Sequence, residues 1–188
     1  MSEPAPGERT ILDTKLDRSF DMLDTDGDGR IREADLVSLA AKLGTAFGAD
    51  APGTVARLQQ CFAVLWATDL TIMDAEGRGA IDRAEWRAGV RHAVATDREG
   101  FLGRMSAMLR AWLELCDTDG DGRIDRAEYT TMYGRTLGLS AGPLHEAFTT
   151  IDIDGDGYIS LDEVRAAVEE FYTSEATDTP GNWLFGPL

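Results

Sequence analysis

Apolar residues recur three and four apart along much of the chain, as in Phe20 and Leu23, in Met105, Met108, Leu109, Trp112, Leu113 and Cys116, and in Val164, Val168 and Phe171. That spacing keeps one face of an α-helix apolar. It predicts an all-α protein with helices over about Glu8 to Leu23, Glu33 to Phe47, Gly53 to Met73, Arg83 to Ala95, Arg98 to Cys116, Arg126 to Leu137, Gly142 to Ile151 and Ser160 to Thr173. In the third helix Val55, Leu58, Phe62, Leu65, Trp66, Ile72 and Met73 form a stripe too wide for one partner helix to cover, so two halves of the chain are expected to pack together. Gly44 to Gly53, with Pro52 at a helix start, reads as the main internal connection. Thr96 to Gly100 joins the halves and is too short to act as a flexible tether.

Between these helices the polar positions are acidic, and three intervening segments share one grammar. Asp24 to Asp35 reads D-T-D-G-D-G-R-I-R-E-A-D, Asp117 to Glu128 reads D-T-D-G-D-G-R-I-D-R-A-E, and Asp152 to Glu163 reads D-I-D-G-D-G-Y-I-S-L-D-E. Like charges this dense repel one another unless a cation sits among them. Oxygens at positions 1, 3, 5, 7, 9 and 12, with glycine at 6, make a seven-coordinate cage for a hard divalent ion, and Ca²⁺ is the ion it suits. The second of these segments offers Asp117, Asp119, Asp121, the Arg123 carbonyl, Asp125 through water and a bidentate Glu128, with Gly122 for the left-handed turn. The third offers Asp152, Asp154, Asp156, the Tyr158 carbonyl, Ser160 and Glu163 around Gly157. The first offers Asp24, Asp26, Asp28, the Arg30 carbonyl and Asp35. Its position 12 is one methylene shorter than Glu, and Arg32 at position 9 has no side-chain oxygen. A short position-12 carboxylate favours six-coordinate geometry, so Mg²⁺ is expected to compete most strongly at this loop.

Helix, acidic twelve-residue loop, helix, three times over, resembles the EF-hand superfamily across nearly the whole chain. The resemblance implies a further hand between residues 35 and 117, and Asp74 to Glu85, D-A-E-G-R-G-A-I-D-R-A-E, is the candidate. Asp74, Gly79, Ile81, Asp82 and Glu85 fit the pattern, but Glu76 is long for position 3, and Arg78 puts a guanidinium where an oxygen belongs. Arg78 is expected to pair with Asp74 or Glu85 in place of an ion, leaving three Ca²⁺ sites in all. Position 8 is Ile31, Ile81, Ile124 and Ile159 in the four loops. In EF-hands the backbone of that residue pairs with the partner loop, which implies short antiparallel ribbons joining hands one and two, and hands three and four. The expected organisation is compact and two-lobed: an amino-terminal pair over 1–97, a carboxy-terminal pair over 98–173, and a tail over 174–188.

Composition narrows the partners. The net charge is −16, from 34 Asp plus Glu against 18 Lys plus Arg, and the only lysines are Lys15 and Lys42. No cationic face is available for nucleic acid or for an anionic membrane surface. Hydrophobic residues at 43% suffice for a packed core. No window of about 18 apolar residues is present, and Met1 to Glu8 lacks the basic and apolar regions of an export leader, so a soluble cytoplasmic monomer is expected. Cys61 and Cys116 each lie in an apolar helical pattern and read as reduced core thiols.

Residues 174–188 have no helical period but carry Trp183, Leu184 and Phe185. Taken alone, they read as disorder or a linear partner motif. Three working hands, a defective second, a long first connection and this apolar tail resemble the sarcoplasmic calcium-binding proteins and the bacterial calerythrin-like proteins, which implies that the tail packs back on the core. The function expected is a Ca²⁺ or Ca²⁺/Mg²⁺ buffer or store. The alternative is a Ca²⁺ sensor that opens an apolar groove to an unidentified target protein, but few methionines are spread over both lobes and Trp66, Trp86 and Trp112 suggest a closed core. A third class, resembling Ca²⁺-regulated photoproteins and luciferin-binding proteins, has only His92 and His145 to offer as catalytic histidines. No nucleophile elbow, phosphate loop or Cys/His zinc spacing is present, and no enzymatic activity is expected.

Overall fold

The computed structural model describes residues 9–47 and 52–186. The expected helix start at Glu8, the middle of the 44–53 connection, the first eight residues and the last two of the tail lie outside the described residues.

Within them the chain runs α1 (Ile11–Leu23), β1 (Arg30–Ile31), α2 (Glu33–Phe47), α3 (Pro52–Leu65), a π-helical turn (Trp66–Leu70), α4 (Thr71–Met73), β2 (Ile81–Asp82), α5 (Arg83–Thr96), α6 (Arg98–Cys116), β3 (Ile124–Asp125), α7 (Arg126–Leu137), α8 (Ala141–Ile151), β4 (Tyr158–Ile159), α9 (Leu161–Thr173) and a 3₁₀ turn (Pro180–Trp183). Helix starts follow local chemistry. Thr10 and Asp13 form a reciprocal capping box at α1, and the pairs Asp82 with Glu85, Asp125 with Glu128 and Ser160 with Glu163 do the same for α5, α7 and α9. The last three pairs are positions 9 and 12 of their loops, so the residues that end each loop also begin the next helix.

The strands are two residues long and pair as two antiparallel ribbons, Ile31 opposite Ile81 and Ile124 opposite Ile159. All four isoleucines are buried. Each ribbon ties two helix-loop-helix units into a pair, the arrangement expected of an EF-hand fold. The two pairs share one core. Asp97 alone separates α5 from α6, and α3 packs along α6, while α1 lies against α5 and α9. Arg57 on α3 bonds Glu114 on α6 at 2.6 Å, and Asp69 in the π turn is buried against Arg104 on α6, with bonds of 2.7 and 2.8 Å.

The third helix corrects the sequence reading in one respect. Leu58, Phe62, Leu65 and Met73 are buried, but Ile72 is 74% exposed and Leu70 takes its place in the core. The π turn explains it, because a wider turn inserts an extra residue and rotates everything beyond it by about 100°. Leu65 and Leu70, five apart, thus share a face. Cys61 also departs from expectation. It lies at the α3–α6 seam, only partly buried, with its thiol 3.8 Å from the Ala107 carbonyl, whereas Cys116 is fully buried; both are free thiols.

The carboxy-terminal segment packs on α8 and α9. Leu184 and Phe185 are buried, and the Phe185 ring meets Phe171 edge-on at 4.9 Å. Gly181 is required there, since a Cβ would stand 2.5 Å from the Glu170 Cβ and 2.6 Å from the Phe171 nitrogen. Helix α1 holds this end of the molecule too. Arg18 donates to the Phe185 carbonyl at 3.0 and 3.2 Å, and the fully buried Lys15 donates to the carbonyls of Glu170 and Ser174 at 2.9 and 2.6 Å. A cation suits the carbonyl end of a helix. Burial nevertheless lowers the Lys15 pKa to about 8, against the opposing pull of Glu175 and Glu170.

Candidate metal centres

Each of the four loops is built around its first aspartate. Asp24 accepts the N–H of Gly29 at 2.9 Å, Asp74 that of Gly79 at 2.6 Å, Asp117 that of Gly122 at 2.9 Å and Asp152 that of Gly157 at 3.0 Å. These glycines have φ between +69° and +91°, a conformation that L side chains rarely adopt. The loop therefore closes on position 1 whether or not its other residues suit an ion.

Position 12 closes it from the other side. Glu128 accepts the Thr118 N–H at 2.6 Å and the Asp125 N–H at 3.0 Å; Glu163 accepts the Ile153 and Ser160 N–H groups, both at 2.8 Å. The shorter Asp35 makes the equivalent pair, to Thr25 N–H at 3.2 Å and Arg32 N–H at 2.8 Å. Asp35 is thus drawn into its loop as the longer glutamates are into theirs.

Among the described residues three groups of acidic side chains result: Asp24, Asp26 and Asp35; Asp117, Asp119 and Glu128; Asp152, Asp154 and Glu163. In each, one oxygen per residue lies within 4.8 Å of the others. These groups hold positions 1, 3 and 12. The position-5 carboxylates Asp28, Asp121 and Asp156 stand beside them, each accepting the N–H two residues ahead at 2.8 to 2.9 Å. At position 9, Asp125 and Ser160 are occupied as helix caps. At position 7, Arg30 and Tyr158 lie in the ribbon strands β1 and β4, while Arg123 immediately precedes β3.

Negative charge is crowded in these groups. Asp119 accepts the Asp121 N–H, which favours ionisation, but burial and the nearby carboxylates of Asp121, Glu128 and Asp117 outweigh it and raise the pKa above the ordinary value. Burial also opposes ionisation of Glu163, yet hydrogen bonds from Ser160, Ile153 and Asp154 hold it below the usual range. Converging hard oxygens, a carbonyl at the seventh position and a charge excess fit Ca²⁺, which takes six to eight oxygen ligands.

The loop from Asp74 to Glu85 differs. The Arg78 guanidinium lies 2.7 Å from Glu85, 3.1 Å from Glu76 and 3.5 Å from Asp82, while Asp74 accepts the Arg78 backbone N–H at 3.0 Å. Asp74 and Asp82 are lowered, led by the backbone N–H bonds from Arg78 and Glu85 respectively, with the Arg78 charge adding to both. Sequence reasoning did not anticipate the contact of Arg32 with Asp28, nor the position of Arg123, whose guanidinium lies over the Tyr158 ring at 3.8 Å and 3.5 Å from Asp156 in the neighbouring loop. The acidic company of both arginines was visible, but not which carboxylate each would meet.

Comparison with known proteins agrees with this geometry. Family models described as EF hand domain and EF hand match residues 144–171, and 16–36 and 109–133. Calerythrin from Saccharopolyspora erythraea is 27% identical over 164 residues, covering 86% of this chain and 92% of calerythrin. A calcium-binding protein from Streptomyces coelicolor superposes with a TM-score of 0.72 at 26% identity, over 88% of this chain and 99% of that one. An amphioxus sarcoplasmic calcium-binding protein has the same fold, with a TM-score of 0.76 at 21% identity over 97% and 100% of the two chains. Hard-oxygen loops, paired ribbons and these likenesses together place the chain in the EF-hand superfamily, as a calcium-binding protein.

Proposed function

We propose that the protein is a Ca²⁺ buffer or Ca²⁺/Mg²⁺ store of the cytoplasm, acting as a monomer without enzymatic activity. Asp24, Asp26, Asp28, the Arg30 carbonyl and Asp35 would hold the first ion. Asp117, Asp119, Asp121, the Arg123 carbonyl, Asp125 and Glu128 would hold the second, and Asp152, Asp154, Asp156, the Tyr158 carbonyl, Ser160 and Glu163 the third. The lobes are 1–97 and 98–173, with 174–188 as a segment that covers their shared core. Mg²⁺ competes most strongly at the first site.

The observation that supports a buffer over a sensor is the make-up of the apolar interior, whose few methionines are spread over both lobes among tryptophans and under the tail. A sensor presents adaptable, methionine-rich surface when it binds Ca²⁺. Here Met22, Met73, Met105, Met108 and Met132 are all buried, as are Trp86, Trp112 and the tail residues Leu184 and Phe185. The photoprotein-like reading gains little from the histidines, since His92 and His145 are both exposed. Two observations favour the sensor as the second reading. An apolar groove between α2 and α3 is lined by Leu36, Val37, Ala40, Phe62 and Ala63, and the Streptomyces coelicolor protein is described in terms of prokaryotic calcium-mediated regulation.

Calorimetric titration with Ca²⁺ in a background of Mg²⁺, paired with a hydrophobic dye, tests the choice. A buffer shows three sites at or below about 10⁻⁷ M and no gain in dye fluorescence. Micromolar sites with a Ca²⁺-dependent gain in dye binding would establish the sensor instead.

A further inference from the structure

Position 5 follows one rule in all four loops: its side chain is an arginine or faces one. In the second loop it is Arg78 itself. In the third and fourth, Asp121 and Asp156 share the Arg123 guanidinium at 3.6 and 3.5 Å. In the first, Asp28 accepts the Arg30 N–H through Oδ1 at 2.9 Å, and its Oδ2 is hydrogen-bonded directly to the Arg32 guanidinium. The loops therefore form a series, from an arginine that replaces the ligand, through one that holds a ligand oxygen by itself, to one divided between two carboxylates at longer range.

Arg32 is notable for what it gives up. It occupies position 9, where Asp82, Asp125 and Ser160 cap the helices that follow the other loops. Arginine cannot accept the N–H groups at a helix start, and its side chain turns back across the loop to Asp28 instead. A divalent cation drawing on Asp28 Oδ2 meets a guanidinium already on that oxygen and a positive charge fixed close to its own position.

We propose that Arg32 is an internal competitor at the first site, which makes the first loop fill after the third and fourth and sets its affinity by charge. This rests on the three-site reading above. The pair is solvent-exposed, so the competition is modest and weakens as salt screens it.

The test is a Ca²⁺ titration of the ¹⁵N-labelled full chain followed by NMR at the amides of Gly29, Gly122 and Gly157, each bonded to the first aspartate of its loop. Wild type is compared with Arg32→Ala, which removes the charge without adding or losing a ligand oxygen, at about 20 mM and about 300 mM salt. In wild type, Gly122 and Gly157 respond before Gly29. In Arg32→Ala the Gly29 midpoint moves to about three- to tenfold lower Ca²⁺ while the other two stay, and the gain shrinks at the higher salt. An Arg32→Lys variant, which keeps the charge, stays near wild type. A Gly29 midpoint equal or weaker in Arg32→Ala, or a gain indifferent to salt, overturns the proposal alone. A Gly29 amide that responds in neither protein defeats the three-site reading and the proposal with it.

Discussion

The loops from Asp74 to Glu85 and from Asp117 to Glu128 have the same backbone plan. Each closes its first aspartate on the sixth-position glycine, and each ends in a capping box that starts the next helix. Their charges are handled in opposite ways. The former carries its own cation, and Asp74 and Asp82 ionise more readily than free aspartate. The latter has Arg123, but that guanidinium stands 3.6 Å from Asp121 and is shared with Asp156 of the neighbouring loop. Against the hydrogen bond from the Asp121 N–H, desolvation together with the nearby carboxylates raises the Asp119 pKa. One loop meets its carboxylates with a guanidinium from its own position 5, while the other leaves Asp117, Asp119 and Glu128 converging as a group that could hold an ion. Position 5, Arg78 against Asp121, is where the two loops carry side chains of opposite charge.

The strongest way to break this comparison is to change position 12 in both loops. Glu128→Gln is expected to lower Ca²⁺ affinity at its loop on the order of a hundredfold, removing a site from the calorimetric isotherm. Glu85→Gln should leave the stoichiometry unchanged. Ion loading shows the same asymmetry: at a hundredfold excess over Kd each filled site adds about 2.7 kcal/mol of stability. That gain, read by denaturant unfolding with Ca²⁺ or chelator, should fall by one site in Glu128→Gln and by none in Glu85→Gln.

Lys15 sharpens the contrast between a built-in cation held by carboxylates and one held by carbonyls in the interior. Its folded pKa, about 8, lies below the ordinary 10.5, so the folded chain releases this proton first. Between about pH 8 and 10.5 the unfolded chain binds more protons, and wild-type stability therefore rises with pH relative to Lys15→Met, on the order of 1 to 3 kcal/mol across the window. Cys116 and the buried Tyr129, Tyr133 and Tyr172 are shifted upward by burial and pull stability down from about pH 9. Both proteins share that fall, so the difference between their urea midpoints isolates Lys15.

A conversion comes next in size. Arg78→Asp returns an oxygen to position 5 and removes the internal cation, and a fourth Ca²⁺ is expected in the isotherm together with a less stable chelated protein. An unaltered count of three would show that Glu76 or the backbone, and not the guanidinium, keeps the ion out. The smallest effect is expected from Asp35→Glu, which should raise the preference for Ca²⁺ over Mg²⁺ at the first site about severalfold in competitive titration. An unchanged ratio would mean that the bonds Asp35 makes to Thr25 and Arg32 already place it as a glutamate would be.

Much of this molecule was legible because its contacts are short in sequence. A twelve-residue loop sets its own hydrogen bonds, from the Gly122 N–H back to Asp117 and from the Thr118 N–H to Glu128 ten residues on, so spacing located three of the loops. The second hand and its arginine were found through the family resemblance, and the helix caps at position 9 appear only in the structure. Periodicity placed the helices, and failed at Ile72, where a π turn that no residue type announces rotates the helix. The four isoleucines pointed to the ribbons only through resemblance to a family.

What the sequence by itself determined, then, was the local chemistry: acidic cages at fixed spacing, an arginine where one cage needs an oxygen, and apolar stripes demanding partners. The tertiary structure alone decided which groups meet across the chain. Lys15 reaches the carbonyls of Glu170 in α9 and Ser174 just beyond it, more than 150 residues away, Asp69 finds Arg104, and the Arg123 guanidinium settles between the position-5 carboxylates of two loops. The reason is physical: a hydrogen bond inside one loop or turn is dictated by backbone geometry over a few residues, whereas the partner of a distant polar group is set by how whole helices pack, and many carboxylates and carbonyls in this chain could have served.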